Sequence, residues 1–129
     1  MKQISISKFI PAIAWFFVVL ILICMPGKDI PSTHWLDKIY FDKCVHTGIF
    51  GLLALLFMLP VALSPVKHKE KIQYFIVIAI ATSIWGLTTE FIQKYWVPGR
   101  SFDLFDWAAD SLGAFIAFII CRKRYSKPL

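Results

Sequence analysis

Polar side chains at helical spacing interrupt the apolar segments of this 129-residue chain. They form three groups, and within each group neighbouring members are one, three or four positions apart. The groups are Asp42, Lys43 and His46; Glu90 and Gln93; and Asp103, Asp106 and Asp110. Residues three or four apart lie on the same face of a helix. The spacing therefore predicts that each group presents its polar side chains on one helical face.

These residue types could carry out acid–base or metal-assisted chemistry. Glu90, Asp103 and Asp106 are the candidate ligands for Mg²⁺, which prefers oxygen ligands. His46 is a candidate general base, and Glu90 and Asp106 are the other candidate catalytic groups. No serine or cysteine is placed near a base as a nucleophile would be, and no phosphotransferase spacing is apparent. The sequence thus leaves open whether any reaction is catalysed.

Four apolar blocks must position these polar residues. They span residues 9–25, 45–63, 72–96 and 104–121. A membrane-spanning helix needs about 20 residues, with a range of roughly 17–25. Hydrophobic residues make up 58% of the chain, whereas soluble domains have roughly 45–50%. The sequence predicts an all-α fold, with one domain over residues 1–129 that contains four transmembrane helices.

The first block has some features of a cleaved signal peptide, because Lys2 and Lys8 precede an apolar run. However, no small-x-small cleavage site follows that run. Ile23 also occupies the position before Cys24 where a lipoprotein signal has a small residue. We therefore interpret the first block as a retained helix.

The distribution of charge predicts the orientation of the helices. With four spans, nine of the lysines and arginines fall on the side of the two termini and five on the other side. An excess of Lys and Arg marks the cytoplasmic face. We expect a multi-pass membrane protein with both termini in the cytoplasm. The net charge of +6 suits anionic lipid headgroups and requires no nucleic-acid partner.

The first outer loop, residues 26–41, contains a second helical pattern. Its aromatic and aliphatic residues share one face, and they are Trp35, Leu36, Ile39 and Tyr40. An amphipathic segment of this kind lies in the plane of the membrane interface. We expect a short interfacial helix there.

The polar groups lie in the outer halves of the predicted helices. At about 1.5 Å per residue, Glu90 and Asp110 lie on the order of 9 Å below the outer ends of their helices, and His46 is shallower. If the three polar faces converge, they line a funnel that opens to the outer surface. Charged residues inside a bilayer are costly and indicate a functional site by default. The alternative is a structural network of ion pairs and hydrogen bonds that joins the helices.

Two segments, DKCVH and EFIQKYWVPGRSFDLFDWAADSLGA, resemble the VanZ-like family of small bacterial membrane proteins. The similarity covers roughly residues 9–121. The family pattern comprises Asp-Lys-x-x-His, Glu-x-x-Gln, an Arg, Asp-x-x-Asp and a glycine on the last helix. In this chain it falls on Asp42, Lys43, His46, Glu90, Gln93, Arg100, Asp103, Asp106 and Gly113.

The chain departs from the family pattern at two positions. The family usually has Asn where this chain has Asp110, and a glycine is common where it has Ala117. A protonated aspartic acid would mimic the donor and acceptor capacity of asparagine. The named member of the family is linked to resistance to the glycopeptide teicoplanin. The resemblance therefore implies a cell-envelope protein of the bacterial inner (cytoplasmic) membrane and a site, but not a reaction.

Three functions are compatible with the sequence. In the first, the outer-facing site binds a membrane lipid headgroup, a cell-wall precursor or a lipophilic glycopeptide. Lys43 and Arg100 would hold an anionic group, the arginine through its bidentate guanidinium, and the carboxylates, Gln93 and His46 would complete the site. In the second, a membrane enzyme acts on a lipid-linked phosphate with a divalent cation. In the third, Glu90 and His46 form the proton relay of a small transporter. The oligomeric state is open.

Overall fold

The computed structural model describes residues 4–25 and 35–125, and within this part the side chains of residues 35–42 are not described. The described elements are all helical. A 3-10 turn, Ile6–Phe9, leads into α1 (Ile10–Ile23), which is followed by α2 (Trp35–Ala62), α3 (His68–Trp96) and α4 (Leu104–Tyr125). The all-α prediction is confirmed.

All four helices are long and apolar enough to cross a membrane. Large apolar side chains point away from the bundle on each helix, for example Ile21, Ile84 and Phe115. In water this surface would be unfavourable, whereas in lipid it faces a solvent as apolar as itself. The structure therefore agrees with the predicted multi-pass membrane protein.

Three of the helices extend beyond the apolar blocks that identified them, whereas α1 lies within its block of residues 9–25. The second helix begins at Trp35, ten residues before the predicted start, because no glycine or proline interrupts the chain between Trp35 and Gly48. The expected short interfacial helix is consequently not confirmed, since residues 35–41 belong to the first turns of α2. Residues 26–34 of that loop lie outside the described part of the chain. The fourth helix continues to Tyr125 through basic residues, which are favourable near a helix C-terminus.

Helices α2 and α4 form the central pair of the bundle, α3 packs against both, and α1 lies at the edge against α2. The two central helices meet at Gly51 and Gly113, where their backbones are in contact. A Cβ atom added to Gly113 would lie 2.3 Å from the backbone oxygen of Thr47. Small residues permit such a close approach between transmembrane helices, and buried Ala54 and Ala117 extend the contact. The approach brings the polar faces of α2 and α4 within hydrogen-bonding distance of each other.

Candidate functional site

An ion-paired outer layer joins α2 to the beginning of α4. The Lys43 ammonium donates to Asp103 Oδ2 at 2.9 Å and also contacts Asp106 Oδ1. Asp103 immediately precedes α4, and its Oδ1 accepts the backbone N–H of Phe105 at 2.9 Å. This is the arrangement of a helix N-cap. Asp106 lies in the first turn of α4, where a negative charge interacts favourably with the helix dipole. The local chemistry of this helix start therefore explains two of the carboxylates.

Asp103 is the most accessible of these groups, with 38% of its side chain exposed. Partial burial acts to raise the pKa of Asp103. The hydrogen bonds from the Lys43 ammonium and the Phe105 N–H, together with the charge of Lys43, outweigh that effect and lower the pKa below its usual value. Asp103 is therefore ionised at neutral pH, and its pair with Lys43 lies at the end of the bundle where α4 begins.

Beneath this layer, His46 lies between two carboxylates of α4. Its Nδ1 is 2.8 Å from Asp110 Oδ1, and its Nε2 is 3.6 Å from Asp106 Oδ2. All three residues are buried. Their positions follow from the spacing within each helix, since Asp106 and Asp110 are four apart and His46 follows Lys43 by three. The imidazole is thus held in one orientation, as is required of a metal ligand or an acid–base group.

Glu90 approaches the same place from α3 and is fully buried. Its Oε2 accepts the backbone N–H of Asp103 at 3.0 Å. Its Oε1 is buried without a hydrogen-bond partner among the described residues. Ligand atoms of His46, Glu90 and Asp110, one from each residue, all lie within 4.8 Å of one another. The site therefore contains a nitrogen and two carboxylate oxygens at spacings that could accommodate a cation.

The structure places the three candidate Mg²⁺ ligands in two layers. Glu90 belongs to the inner group with His46 and Asp110. The side chains of Asp103 and Asp106 both bind Lys43 in the outer layer. The three carboxylates therefore lie in two layers, and a residue outside the predicted metal set, Asp110, joins Glu90.

Gln93 and Arg100 are directed towards the end of α1. The amide Nε2 of Gln93 donates to the backbone oxygen of Ile23 at 3.1 Å, and Arg100 Nε donates to that of Met25 at 3.2 Å. The last carbonyl groups of a helix have no partner within the helix, so Gln93 serves as an external cap for α1, while Arg100 binds the chain two residues beyond its end. The side chain of Asp42 lies outside the described residues.

Gly86 is part of the site and was not identified from the sequence. A Cβ atom at this position would lie 2.8 Å from Asp110 Oδ2 and 2.9 Å from Asp110 Cβ. The missing side chain lets the Asp110 carboxylate lie against the backbone of α3. The available signal was its spacing, because Gly86 precedes Glu90 by four positions and therefore shares its helical face.

The structure thus brings together six predicted site residues, whereas Gln93 and Arg100 bind the backbone at and just after the end of α1. The six are Lys43, His46, Glu90, Asp103, Asp106 and Asp110.

A family model described as VanZ/LLP1 matches residues 4–125, which include all the motif positions. Comparison with curated proteins returned no match, and neither did comparison with solved structures. On the strength of that nearly full-length match, the chain belongs to the VanZ/LLP1 family.

Proposed function

We propose that this protein lies in the bacterial inner membrane with both termini in the cytoplasm, and that its polar site binds an amphiphile with an anionic group at the outer face. The ligand would be a lipid headgroup, a cell-wall precursor or a lipophilic glycopeptide. The orientation is supported by the nine lysines and arginines assigned to the side of the termini, against five on the other side. The site then opens away from the cytoplasm.

The observation that carries this proposal is the position of Arg100. It lies in the short turn between α3 and α4 and is partly exposed. Its Nε binds the backbone of Met25, which holds the guanidinium in place. The terminal nitrogens have no hydrogen-bond partner among the described residues, so the planar fork is available for a carboxylate or phosphate, which guanidinium groups bind in a bidentate manner.

Lys43 has a different role from that of Arg100. Its ammonium already contacts the carboxylates of Asp103 and Asp106. An incoming anion would therefore have to compete with two charged partners at Lys43, whereas at Arg100 it would meet no charged partner from the described part of the chain. We assign Lys43 to the organisation of the outer layer and Arg100 to direct contact with the ligand.

The surface around this turn suits the apolar part of an amphiphile. Tyr95, Trp96 and Phe105 are exposed at the same end of the bundle, with Trp96 and Phe105 each 74% exposed. Aromatic rings of this type lie at the level of lipid headgroups. They would contact acyl, isoprenoid or other apolar groups while the anionic group reaches Arg100.

The test compares Arg100→Gln with Lys94→Gln, which removes the same charge from the same end of the bundle. Lys94 lies over the Tyr95 ring and has no assigned role. Each protein, in phosphatidylcholine nanodiscs, is titrated separately with phosphatidylglycerol, undecaprenyl pyrophosphate and teicoplanin, and binding is measured by native mass spectrometry. A charge-assisted bidentate contact contributes about 1.5–3 kcal/mol, so Arg100→Gln should raise the Kd for the true ligand class about tenfold or more.

Lys94→Gln should change that Kd by less than about fivefold, because an exposed charge that makes no bidentate contact with the ligand contributes less than about 1 kcal/mol. Thermal stability of both variants is measured in parallel, since Arg100→Gln also removes a contact with α1. The proposal is wrong if the wild-type protein binds none of the three probes, or if the two variants bind equally well.

A further inference from the structure

We propose that His46, Glu90 and Asp110 form a buried binding site for Zn²⁺ or a similar divalent transition-metal cation. This site lies below the ion-paired outer layer and differs in its residues from the carboxylate set expected for Mg²⁺. The inference does not depend on the amphiphile ligand, because a metal can be titrated into the protein alone.

The geometry supports coordination by these three residues. Zn²⁺ binds histidine nitrogen and carboxylate oxygen at about 2.0–2.2 Å, so its ligand atoms lie roughly 3–3.6 Å apart. His46 Nδ1 and Asp110 Oδ1 are already 2.8 Å apart. The widest separation within the group is under 4.8 Å. Atoms up to 4.8 Å apart would have to move closer by about 1 Å to reach the spacing of zinc ligands.

A second, independent observation comes from Glu90. It is fully buried, and its Oε1 has no hydrogen-bond partner among the described residues. A buried carboxylate oxygen without a partner is strongly destabilising, because it has lost its hydrogen bonds to water and no protein donor replaces them. A bound cation would supply the missing interaction for this oxygen. Glu90, which carries this oxygen, is also one of the three residues of the proposed ligand group.

The charges of the site also favour a cation. Four carboxylates meet here, on Glu90, Asp103, Asp106 and Asp110. Among the described residues, the Lys43 ammonium offsets one of these negative charges. The His46 imidazole offsets a second one only when it is protonated. Buried charge inside a membrane has to be paired or neutralised. A divalent cation would add positive charge to a site at which four carboxylates meet.

The donor set indicates the class of ion. Imidazole nitrogen suits zinc and neighbouring transition metals, whereas Mg²⁺ selects oxygen ligands in near-octahedral geometry. Asp106 Oδ2 lies 3.6 Å from His46 Nε2, on the side of the ring opposite the proposed metal. Carboxylate–histidine–metal arrangements of this kind orient the ligating ring. Three protein ligands would leave a coordination position for water or another oxygen donor.

The experiment titrates Zn²⁺ into metal-stripped protein in nanodiscs by isothermal calorimetry, with and without millimolar Mg²⁺. The wild-type protein should bind one Zn²⁺ per chain, and Mg²⁺ should not displace it. His46→Gln should weaken binding about tenfold or more, since even outer-shell partners of metal ligands contribute about 10–100-fold. This variant is decisive because it removes a nitrogen ligand without changing the number of carboxylates.

Glu90→Gln is compared with Glu70→Gln, the same substitution in the exposed first turn of α3. Only Glu90→Gln should lower the affinity for Zn²⁺. If that variant fails to fold, X-ray absorption of the zinc-loaded wild-type protein provides a separate test, with histidine nitrogen expected in the first shell. The proposal is overturned if Zn²⁺ does not bind at about 100 μM, a concentration well above the Kd of a built zinc site. It is also overturned if His46→Gln binds Zn²⁺ as tightly as the wild-type protein, or if no histidine is coordinated.

Discussion

Replacing Gly113 with alanine should force α4 away from α2 and destabilise the whole bundle. The added Cβ would lie 2.3 Å from the backbone oxygen of Thr47 and 2.7 Å from the backbone nitrogen of Gly51. Ordinary contacts of a Cβ atom begin at 3.4 Å. Both obstructing atoms belong to the backbone and cannot rotate away, so the helices would have to separate by about 1 Å.

The expected cost combines two effects. Overpacking in a well-packed interior costs about 1–3 kcal/mol. Separation of the helices also lengthens the contact between His46 Nδ1 and Asp110 Oδ1, now 2.8 Å, and a hydrogen bond to a charged group contributes about 1.5–3 kcal/mol. Alanine regains up to about 1 kcal/mol through its higher helix propensity. We therefore expect Gly113→Ala to lower the free energy of unfolding by at least about 1.5 kcal/mol.

Gly48→Ala is the matched control. It is the same substitution on the facing helix, but a Cβ atom at Gly48 would have no neighbour within 4 Å. It should leave the free energy of unfolding unchanged or raise it by up to about 1 kcal/mol. Both variants are unfolded with SDS in mixed micelles and followed by circular dichroism. If Gly113→Ala is as stable as Gly48→Ala, the close approach of α2 and α4 is incorrect.

Two further predictions concern α1 and the orientation of the chain. Gln93→Leu should lower the free energy of unfolding by about 1–3 kcal/mol, because it leaves the buried carbonyl of Ile23 without its donor. The control Gln73→Leu, at an exposed position of the same helix, should leave that free energy unchanged. Equal stabilities of the two variants in the SDS assay would contradict the role of Gln93 as a cap of α1. In a variant whose three native cysteines are alanine, Ser101→Cys should react with a membrane-impermeant maleimide added outside intact cells. Labelling that requires lysed cells would reverse the proposed topology.

Hydropathy predicted the four membrane-spanning helices correctly because a bilayer requires about 20 apolar residues per span. It did not predict where α2 begins, since the residues after Trp35 are too polar to register as a span. Those residues nevertheless continue the helix, because nothing before Gly48 interrupts it. The ends of helices depend on local breakers and caps rather than on the apolar length that the membrane imposes.

The sequence by itself also determined which polar residues share a helical face, because spacings of three and four are a property of a single helix. Only the tertiary structure decided how those faces meet. The contact between Gly51 and Gly113 sets the offset and rotation of α2 against α4, and thereby pairs His46 with Asp110 and Lys43 with Asp106.

The same tertiary contacts separated residues that the motif groups together. Gln93 follows Glu90 by three positions, yet it caps α1 while Glu90 faces the buried site. Asp103 and Asp106 bind Lys43, whereas Asp110 reaches the inner group through the space left by Gly86. Spacing along one helix places side chains on a face, but the neighbouring helix that each side chain contacts depends on interhelical packing, which no local pattern contains.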